Sequence, residues 1–227
     1  GGRIESAMGQ MRTEMEDGQD ARRKYRSAPR FAPAGQSTQM IVGADDADDR
    51  AIITRASSLY DRHRLRRVYY SAFSPIPSPS AVLPLKRPPL LREHRLYQSD
   101  WMMRFYGYAA QDVAAATDPA TGCLPLDIDP KLAWALRHRA TFPVDVNRAP
   151  REMLLRVPGL GVKAVDRILA SRRHRRLRLD DVARLTTPVK KIRPFLIAAD
   201  WRPVGLAERV DLRSMLAPPA RQLDLFA

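Results

Sequence analysis

The stretch that decides the fold of the C-terminal half reads Val157-Pro158-Gly159-Leu160-Gly161-Val162-Lys163. Apolar residues recur at helical spacing on both sides of it, which predicts a helix from Asn147, a tight turn, and a second helix from Val162 to about Ser171. Asn147 is a favourable N-cap, and Pro150 loses no hydrogen bond so early in a helix. Two glycines around one apolar residue allow a turn whose amides point outward.

A turn of outward amides before the positive end of a helix favours an anion such as phosphate. The segment 147–165 resembles the helix-hairpin-helix family of DNA-binding modules. That resemblance implies phosphate contacts at the turn and at the lysine that follows it, which here are Pro158, Gly159, Leu160, Gly161 and Lys163. The alternative is a plain tight turn between two packed helices.

The positive charge of the chain is concentrated around this motif. Residues 147–202 hold 15 lysines or arginines against 5 aspartates or glutamates, which is +10 of a net charge of +14. A segment this basic points to a polyanionic partner. The further candidates for DNA contact are Arg148, Arg167, Arg172 and Arg173. The alternative for the arginine run is a solvated charged face.

A second, degenerate hairpin follows the first. A helix is predicted over 180–185, a turn over 186–189 and a partner helix over 190–197. Because this turn has no glycine, its amides cannot be approached as closely. We therefore expect a structural role for the second copy, which buries the apolar face of the first.

The N-terminal third predicts a parallel βαβ unit. A helix over 4–25 precedes a strand over 40–43, a helix that ends near His63, and a strand over 67–73. Two strands alone do not make a stable domain. We therefore expect the last part of an α/β barrel or open sheet that begins upstream, in agreement with a chain that opens on Gly1 rather than on an initiator methionine.

Three blocks, 30–44, 67–73 and 91–101, resemble the DNA modification and repair radical SAM protein family. The resemblance extends from about Ile4 to Arg202. Members of that family carry a helix-hairpin-helix module behind the radical SAM barrel and tend to be encoded beside a uracil-DNA-glycosylase-like protein, which the resemblance implies as a partner. The same resemblance implies S-adenosylmethionine and a [4Fe-4S] cluster for a longer parent protein.

Cys123 is the single cysteine of this chain, whereas such a cluster needs three. We therefore expect no cofactor and no metal within the chain itself, and its status as an enzyme stays open. Within the radical SAM frame, the residues that enter a barrel strand and could face a cofactor are Gln36, Ser37, Thr38 and Gln39. The alternative for them is an ordinary strand start, and no catalytic residue can be assigned.

The C-terminal pentapeptide Gln222-Leu223-Asp224-Leu225-Phe226 resembles the short peptide with which bacterial DNA polymerases and repair proteins bind the sliding clamp. The resemblance implies that Leu223, Leu225 and Phe226 dock in an apolar groove while Gln222 fixes the register. The alternative is a tail segment that packs on its own domain.

The expected fold is a helix-rich α/β protein, with terminal βα units of a radical SAM (TIM-like) barrel and an all-α helix-hairpin-helix domain. We expect the barrel part over 1–90, a helical connector over 91–140, the DNA-binding domain over 141–203 and a flexible tail over 204–227. Within the connector, helices are predicted over 91–106 and 130–138. The first should bury one apolar face, formed by Leu91, Leu96, Trp101, Met102 and Phe105.

The expected function is non-specific binding of duplex DNA in DNA modification or repair. A non-catalytic DNA-binding accessory protein and an RNA-binding protein are the alternatives, because grip on a backbone alone does not separate the two nucleic acids. One cysteine, no long apolar run and no signal-peptide pattern favour a cytoplasmic, nucleoid-associated protein without membrane contact.

Overall fold

The computed structural model describes residues 2–75, 83–186 and 189–218. It divides into two compact units, Gly1–Tyr97 and Gln98–Ala227. Most of the predicted connector over 91–140 therefore belongs to the same unit as the basic C-terminal segment. The described part is helix-rich α/β and contains two small two-stranded sheets, with no closed barrel.

Unit 1 contains the predicted parallel βαβ arrangement. Helix α1 (Gly2–Lys24) precedes strand β1 (Ser37–Val42), helix α2 (Asp49–His63) and strand β2 (Arg67–Ala72). The two strands pair in parallel, from Ser37 opposite Arg67 to Val42 opposite Ala72. The prediction of a parallel pair with a helical crossover is confirmed, although β1 begins three residues before the predicted strand.

Both ends of α2 are fixed by local chemistry. The Asp48 carboxylate accepts a hydrogen bond from the Ala51 amide at 2.7 Å, which satisfies one of the free donors of the first turn. At the other end Arg64 adopts a left-handed conformation with φ 50° and stops the helix. The residues buried on its inner face are Asp49, Ile52, Ile53, Ala56 and Leu59.

Helix α3 (Leu90–Tyr106) begins in unit 1, where its first turns cover the outer edge of β2. The Tyr97 hydroxyl accepts from the Tyr70 amide at 3.0 Å and donates to the Tyr70 carbonyl at 2.9 Å. The Glu93 carboxylate accepts from the Ala72 amide at 2.8 Å. Side chains thus occupy backbone groups of β2 that a further strand would otherwise pair with.

Only part of the predicted apolar face of α3 is buried. Leu96 and Met102 are buried as expected. Leu91, Trp101 and Phe105 were predicted to be buried with them, but they are 40%, 49% and 41% exposed. Helical spacing marked these residues as apolar, but the described chain provides no element that covers them.

Unit 2 is a set of short helices around one core. After α3 come α4 (Ala110–Ala114), α5 (Pro130–Arg137), α6 (Arg151–Arg156), α7 (Val162–Ser171), α8 (Leu179–Leu185) and α9 (Val189–Ile192). Strands β3 (Val144–Asp145) and β4 (Leu196–Ile197) pair in parallel. The sequence did not predict these strands, so the unit is not purely α-helical.

The last described residues do not behave as a free tail. Helix α10 (Leu212–Leu216) buries Leu212 and Leu216, and the Arg213 guanidinium forms two hydrogen bonds with the Asp127 carboxylate, at 2.7 and 2.8 Å. Residues up to about 217 therefore pack in unit 2, and the flexible tail predicted from 204 is too long. No helix of the described residues is both long and apolar enough to cross a membrane.

One buried ion pair joins α2 to α3 within unit 1. The Arg92 guanidinium bonds the Asp49 carboxylate at 2.7 Å and the Ala47 carbonyl at 2.8 Å. The Asp49 side chain is fully buried and that of Arg92 is 16% exposed. Removal of one member of such a pair leaves the other charge buried, which is far costlier than loss of a surface pair.

We expect Arg92→Met to lower the free energy of unfolding of unit 1 by about 3 kcal/mol. Hydrogen exchange of the β1 and α2 amides measures that loss. The control is Arg23→Met, which breaks the exposed pair with Asp20 and should cause only a marginal loss. Equal protection in the two variants would show that the buried pair does not hold unit 1 together.

Candidate nucleic-acid interface

Helices α6 and α7 are joined by the tight turn that the glycine spacing predicts, and residues 151–171 are called the hairpin below. Gly159 adopts a left-handed φ of 89°, which strongly favours glycine. Gly161 has an extended φ of −100° and is the N-cap of α7. The two glycines therefore act differently, since only Gly159 has the backbone conformation that requires glycine.

Apolar side chains anchor the turn in the core of unit 2. Val157 and Leu160 are almost completely buried, and the Leu160 amide donates to the Val157 carbonyl at 3.1 Å. Leu154 of α6 and Val165 of α7 are also fully buried. The turn is therefore attached to the core on both sides.

Two side chains from outside the hairpin occupy carbonyl groups of the turn. The Lys131 ammonium, from α5, donates to the Leu160 carbonyl at 2.5 Å. The Thr186 hydroxyl, just after α8, donates to the Gly159 carbonyl at 3.2 Å. These bonds hold the acceptors of the turn inside the unit and away from an approaching anion.

The amides at the start of α7 are left as donors. The Val165 amide makes the first intrahelical bond, to the Gly161 carbonyl at 2.9 Å. The amides of Val162, Lys163 and Ala164 precede it and have no acceptor within the helix. Together with the helix dipole, they form a place where a phosphate oxygen is favoured.

Exposed cations lie along α7, beginning in its first turn. Lys163 and Arg167 lie one turn apart on α7, and both side chains are exposed. Arg148 and Arg173 are exposed as well, but they lie toward the C-terminal end of α7, away from these amides. Within residues 2–75, 83–186 and 189–218, no carboxylate forms an ion pair with any of these four. By contrast, Arg151 of α6 is paired with Asp166 at 3.0 Å.

Three of the predicted contact residues have internal positions. Pro158 is buried and has no amide hydrogen, and the Leu160 side chain is buried while its amide is bonded within the turn. The Arg172 guanidinium bonds the Val146 and Ala149 carbonyls at 3.1 and 2.7 Å. We assign Pro158 and Leu160 to the support of the turn, and Arg172 to the attachment of the segment before α6.

Asn147 does not cap a helix as predicted. The N-cap of α6 is Pro150, and the Asn147 side chain instead exchanges two hydrogen bonds with the Leu177 backbone. Its amide nitrogen donates to the Leu177 carbonyl at 3.1 Å, and its oxygen accepts from the Leu177 amide at 2.7 Å. This reciprocal pair ties the segment before the hairpin to the segment after it.

The second hairpin is shorter than predicted. Helices α8 and α9 begin near the predicted positions, but α9 ends at Ile192, and a 3₁₀ turn, Arg193–Phe195, leads into β4. Pro194 cannot donate within a continuing helix. The buried side chains of Val182, Ile192 and Phe195 agree with the expected role of packing.

Nothing in the sequence marks Lys131 as part of this site, because lysine is rarely buried. Its side chain is 7% exposed and lies 4.5 Å from the centre of the Tyr106 ring. Burial lowers the pKa of Lys131 to about 7, while the negative charge of Asp129 opposes this shift. Burial likewise raises the pKa of the Tyr106 and Tyr108 hydroxyls.

The residues predicted to face a cofactor lie at the beginning of β1 rather than at its carboxyl end. Gln36 is buried, and its amide nitrogen donates to the Met8 and His63 carbonyls at 3.2 and 2.8 Å. Ser37 and Gln39 are exposed and Thr38 is half-buried. Ligands of parallel sheets bind beyond the carboxyl ends of the strands, so we propose no cofactor role for these four residues.

The described residues contain no group of three or more His, Cys, Asp or Glu side chains placed to hold a metal ion. The clamp-like residues Gln222, Leu223, Leu225 and Phe226 lie outside the described residues, so that interaction stays a prediction from sequence. No family model, curated protein or solved structure matches the chain.

We expect the pH dependence of stability to report on Lys131. Its pKa of about 7 in the folded chain lies below the value of about 10.4 for an unfolded lysine. The unfolded chain therefore binds more protons between these pH values, and the free energy of unfolding should rise with pH from about 7 to about 10.4.

Urea denaturation at pH 7, 8 and 9 measures this slope in the wild-type chain and in Lys131→Met. The variant should lose a contribution of at most about 1.4 kcal/mol per pH unit, the limit for one proton. Identical slopes in both chains would mean that Lys131 titrates normally in the folded state.

Proposed function

We propose that unit 2 binds the sugar-phosphate backbone of duplex DNA through the hairpin, with little preference for sequence. The observation that carries this proposal is the set of free amides at the start of α7, flanked by the exposed cations Lys163 and Arg167, in a turn whose carbonyls are bonded internally. Such a surface offers donors and positive charge together, which is what phosphate oxygens bind.

The lack of sequence preference follows from the groups that the hairpin presents. Backbone amides and the ends of flexible cationic side chains reach phosphates equally well beside any base pair. RNA-binding is the alternative, since an A-form backbone offers the same phosphates. Competition between DNA and RNA duplexes of one sequence separates the two proposals, and we expect DNA to compete more strongly.

We propose further that this chain is the C-terminal part of a radical SAM protein that acts in DNA modification or repair. The sequence resemblance and the parallel βαβ unit support this proposal. Cys123 alone cannot hold a [4Fe-4S] cluster, so no chemical step is assigned to this chain. Three clustered cysteines in the reading frame upstream of Gly1 would support the proposal, and their absence would favour a non-catalytic accessory protein. The sliding clamp and a uracil-DNA-glycosylase-like protein are proposed partners on sequence grounds only.

We expect binding of duplex DNA to weaken steeply with salt. Each phosphate contact contributes about 0.9 to the slope of log affinity against log salt concentration, so roughly four contacts give a slope of about −3.6. Fluorescence anisotropy of a labelled duplex at several salt concentrations measures it. Lys163→Ala should reduce the slope by about 0.9, whereas Arg213→Ala, far along the chain at α10, should not. Binding that is independent of salt would contradict a phosphate grip.

We expect Gly161→Val to act mainly on DNA affinity and Gly159→Ala to act mainly on stability. At Gly161 a side chain fits the extended backbone, so the fold should persist with a loss of about 1 kcal/mol from the poorer cap. The added methyl groups stand among the free amides and should lower DNA affinity by about tenfold or more. At Gly159 a side chain strains the left-handed backbone by about 1–2 kcal/mol, so stability should fall more.

Circular dichroism with urea denaturation and anisotropy titrations, run on the same samples, separate stability from affinity. A folded Gly161→Val chain that binds DNA like the wild type would show that the turn only connects two helices.

A further inference from the structure

A cleft of about 340 Å³ opens beside the turn of the hairpin, and we refer to it as the turn cleft. Gly159, Leu160 and Gly161 line one side of it. The other walls come from α3, with Gln98, Trp101, Met102 and Tyr106, and from the start of α5, with Asp129, Pro130 and Lys131. Its volume lies within the range of sites for small organic groups.

An exposed aromatic surface borders the turn cleft. Trp101 is 49% exposed and Phe105 41%, and their ring centres lie 4.3 Å apart at an interplanar angle of 41°. Two adjacent aromatic side chains exposed near the end of one helix present an apolar aromatic surface, with the two rings tilted rather than coplanar. Nucleobases stack well on such a surface, because every base has an aromatic face.

Tyr106, which lines the turn cleft, lies next to the backbone that begins α7. A Cβ atom placed on Gly161 would lie 3.4 Å from the Tyr106 hydroxyl. The backbone at the N-cap of α7 is therefore about one methyl group away from the aromatic side of the turn cleft. A nucleotide whose phosphate lies on the α7 amides has its base within reach of this cleft.

Two polar groups that line the cleft are held in position by hydrogen bonds. The Lys131 ammonium is fixed by its bond with the Leu160 carbonyl at 2.5 Å. The Asp129 carboxylate is fixed by Lys191 at 3.0 Å and by the Leu132 amide at 2.8 Å. A donor and an acceptor held on one wall suit the polar edge of a base better than they suit an aliphatic group.

We propose that the turn cleft receives one unpaired nucleobase, stacked on Trp101, while the adjacent phosphate is bound by the hairpin. This inference rests on the proposed function and adds its substrate class, which is DNA that contains an extrahelical base. Bases inside a duplex are stacked on their neighbours and cannot reach an aromatic side chain. An unpaired base leaves the stack at much lower cost, so the cleft distinguishes it from a paired one.

The test compares a fully paired duplex with the same duplex carrying one unpaired adenine, both bound to the full chain. We expect the wild type to bind the second duplex about tenfold more tightly, as the stacking of one base on an aromatic side chain contributes. Trp101→Ala should bring the ratio of the two affinities close to one and leave the affinity for the paired duplex unchanged. Trp101→Phe, which keeps an aromatic ring, should retain most of the preference.

A second measurement locates the base directly. With 2-aminopurine as the unpaired base, stacking on Trp101 should quench its fluorescence when the wild type binds, and Trp101→Ala should abolish that change. The matched control is Tyr25→Ala, since Tyr25 is another exposed aromatic residue, at 69% exposure, and lies in unit 1. It should behave like the wild type in both measurements.

The outcomes separate this inference from the proposed function. Lys163→Ala should weaken binding of both duplexes by the same factor and leave their ratio unchanged. If the chain binds both duplexes equally well, or if Trp101→Ala keeps the preference for the unpaired adenine, the turn cleft does not hold a base. The proposed binding of phosphates by the hairpin would then remain valid. If the chain binds neither duplex, both proposals are overturned.

Discussion

The exposed side of the hairpin depends on the hydrogen bond from the Lys131 ammonium to the Leu160 carbonyl. Through this bond the Leu160 carbonyl is occupied by a donor inside the protein. The Thr186 hydroxyl occupies the neighbouring Gly159 carbonyl in the same way. A turn whose carbonyls pointed outward would repel an anion, because carbonyl oxygens carry partial negative charge. Lys131 and Thr186 therefore determine that the exposed side of the hairpin presents donors rather than acceptors, although neither residue belongs to the hairpin.

The same bond explains why unit 2 cannot be divided into a connector and a DNA-binding domain. Lys131 lies 29 residues before Leu160, and the Tyr108 hydroxyl, from the segment before α4, donates to the Arg156 carbonyl at 3.5 Å. The hairpin is short, and α6 has only six residues. Isolated helices of that length are not stable in water, so the conformation of the turn is maintained by the packing of the whole unit.

Short sequence patterns correctly predicted those elements that are determined by residues close together in the chain. The glycine spacing placed the turn and the α7 start, and alternating helical and strand patterns placed the parallel pair in unit 1. The sequence could not predict contacts between residues far apart in the chain, such as Asn147 with Leu177 or Lys131 with Leu160. It also misjudged Trp101 and Phe105, because helical periodicity identifies apolar residues but does not show whether another element covers them.

The helix that covers strand β2 has a consequence for the sheet of unit 1. Glu93 and Tyr97 already bond backbone groups on the outer edge of β2. A strand added there would have to displace a helix and break three hydrogen bonds before it formed its own. The side chains of α3 therefore protect the outer edge of β2 against strand addition, in the way that charged or covered edges prevent sheets from pairing with other chains.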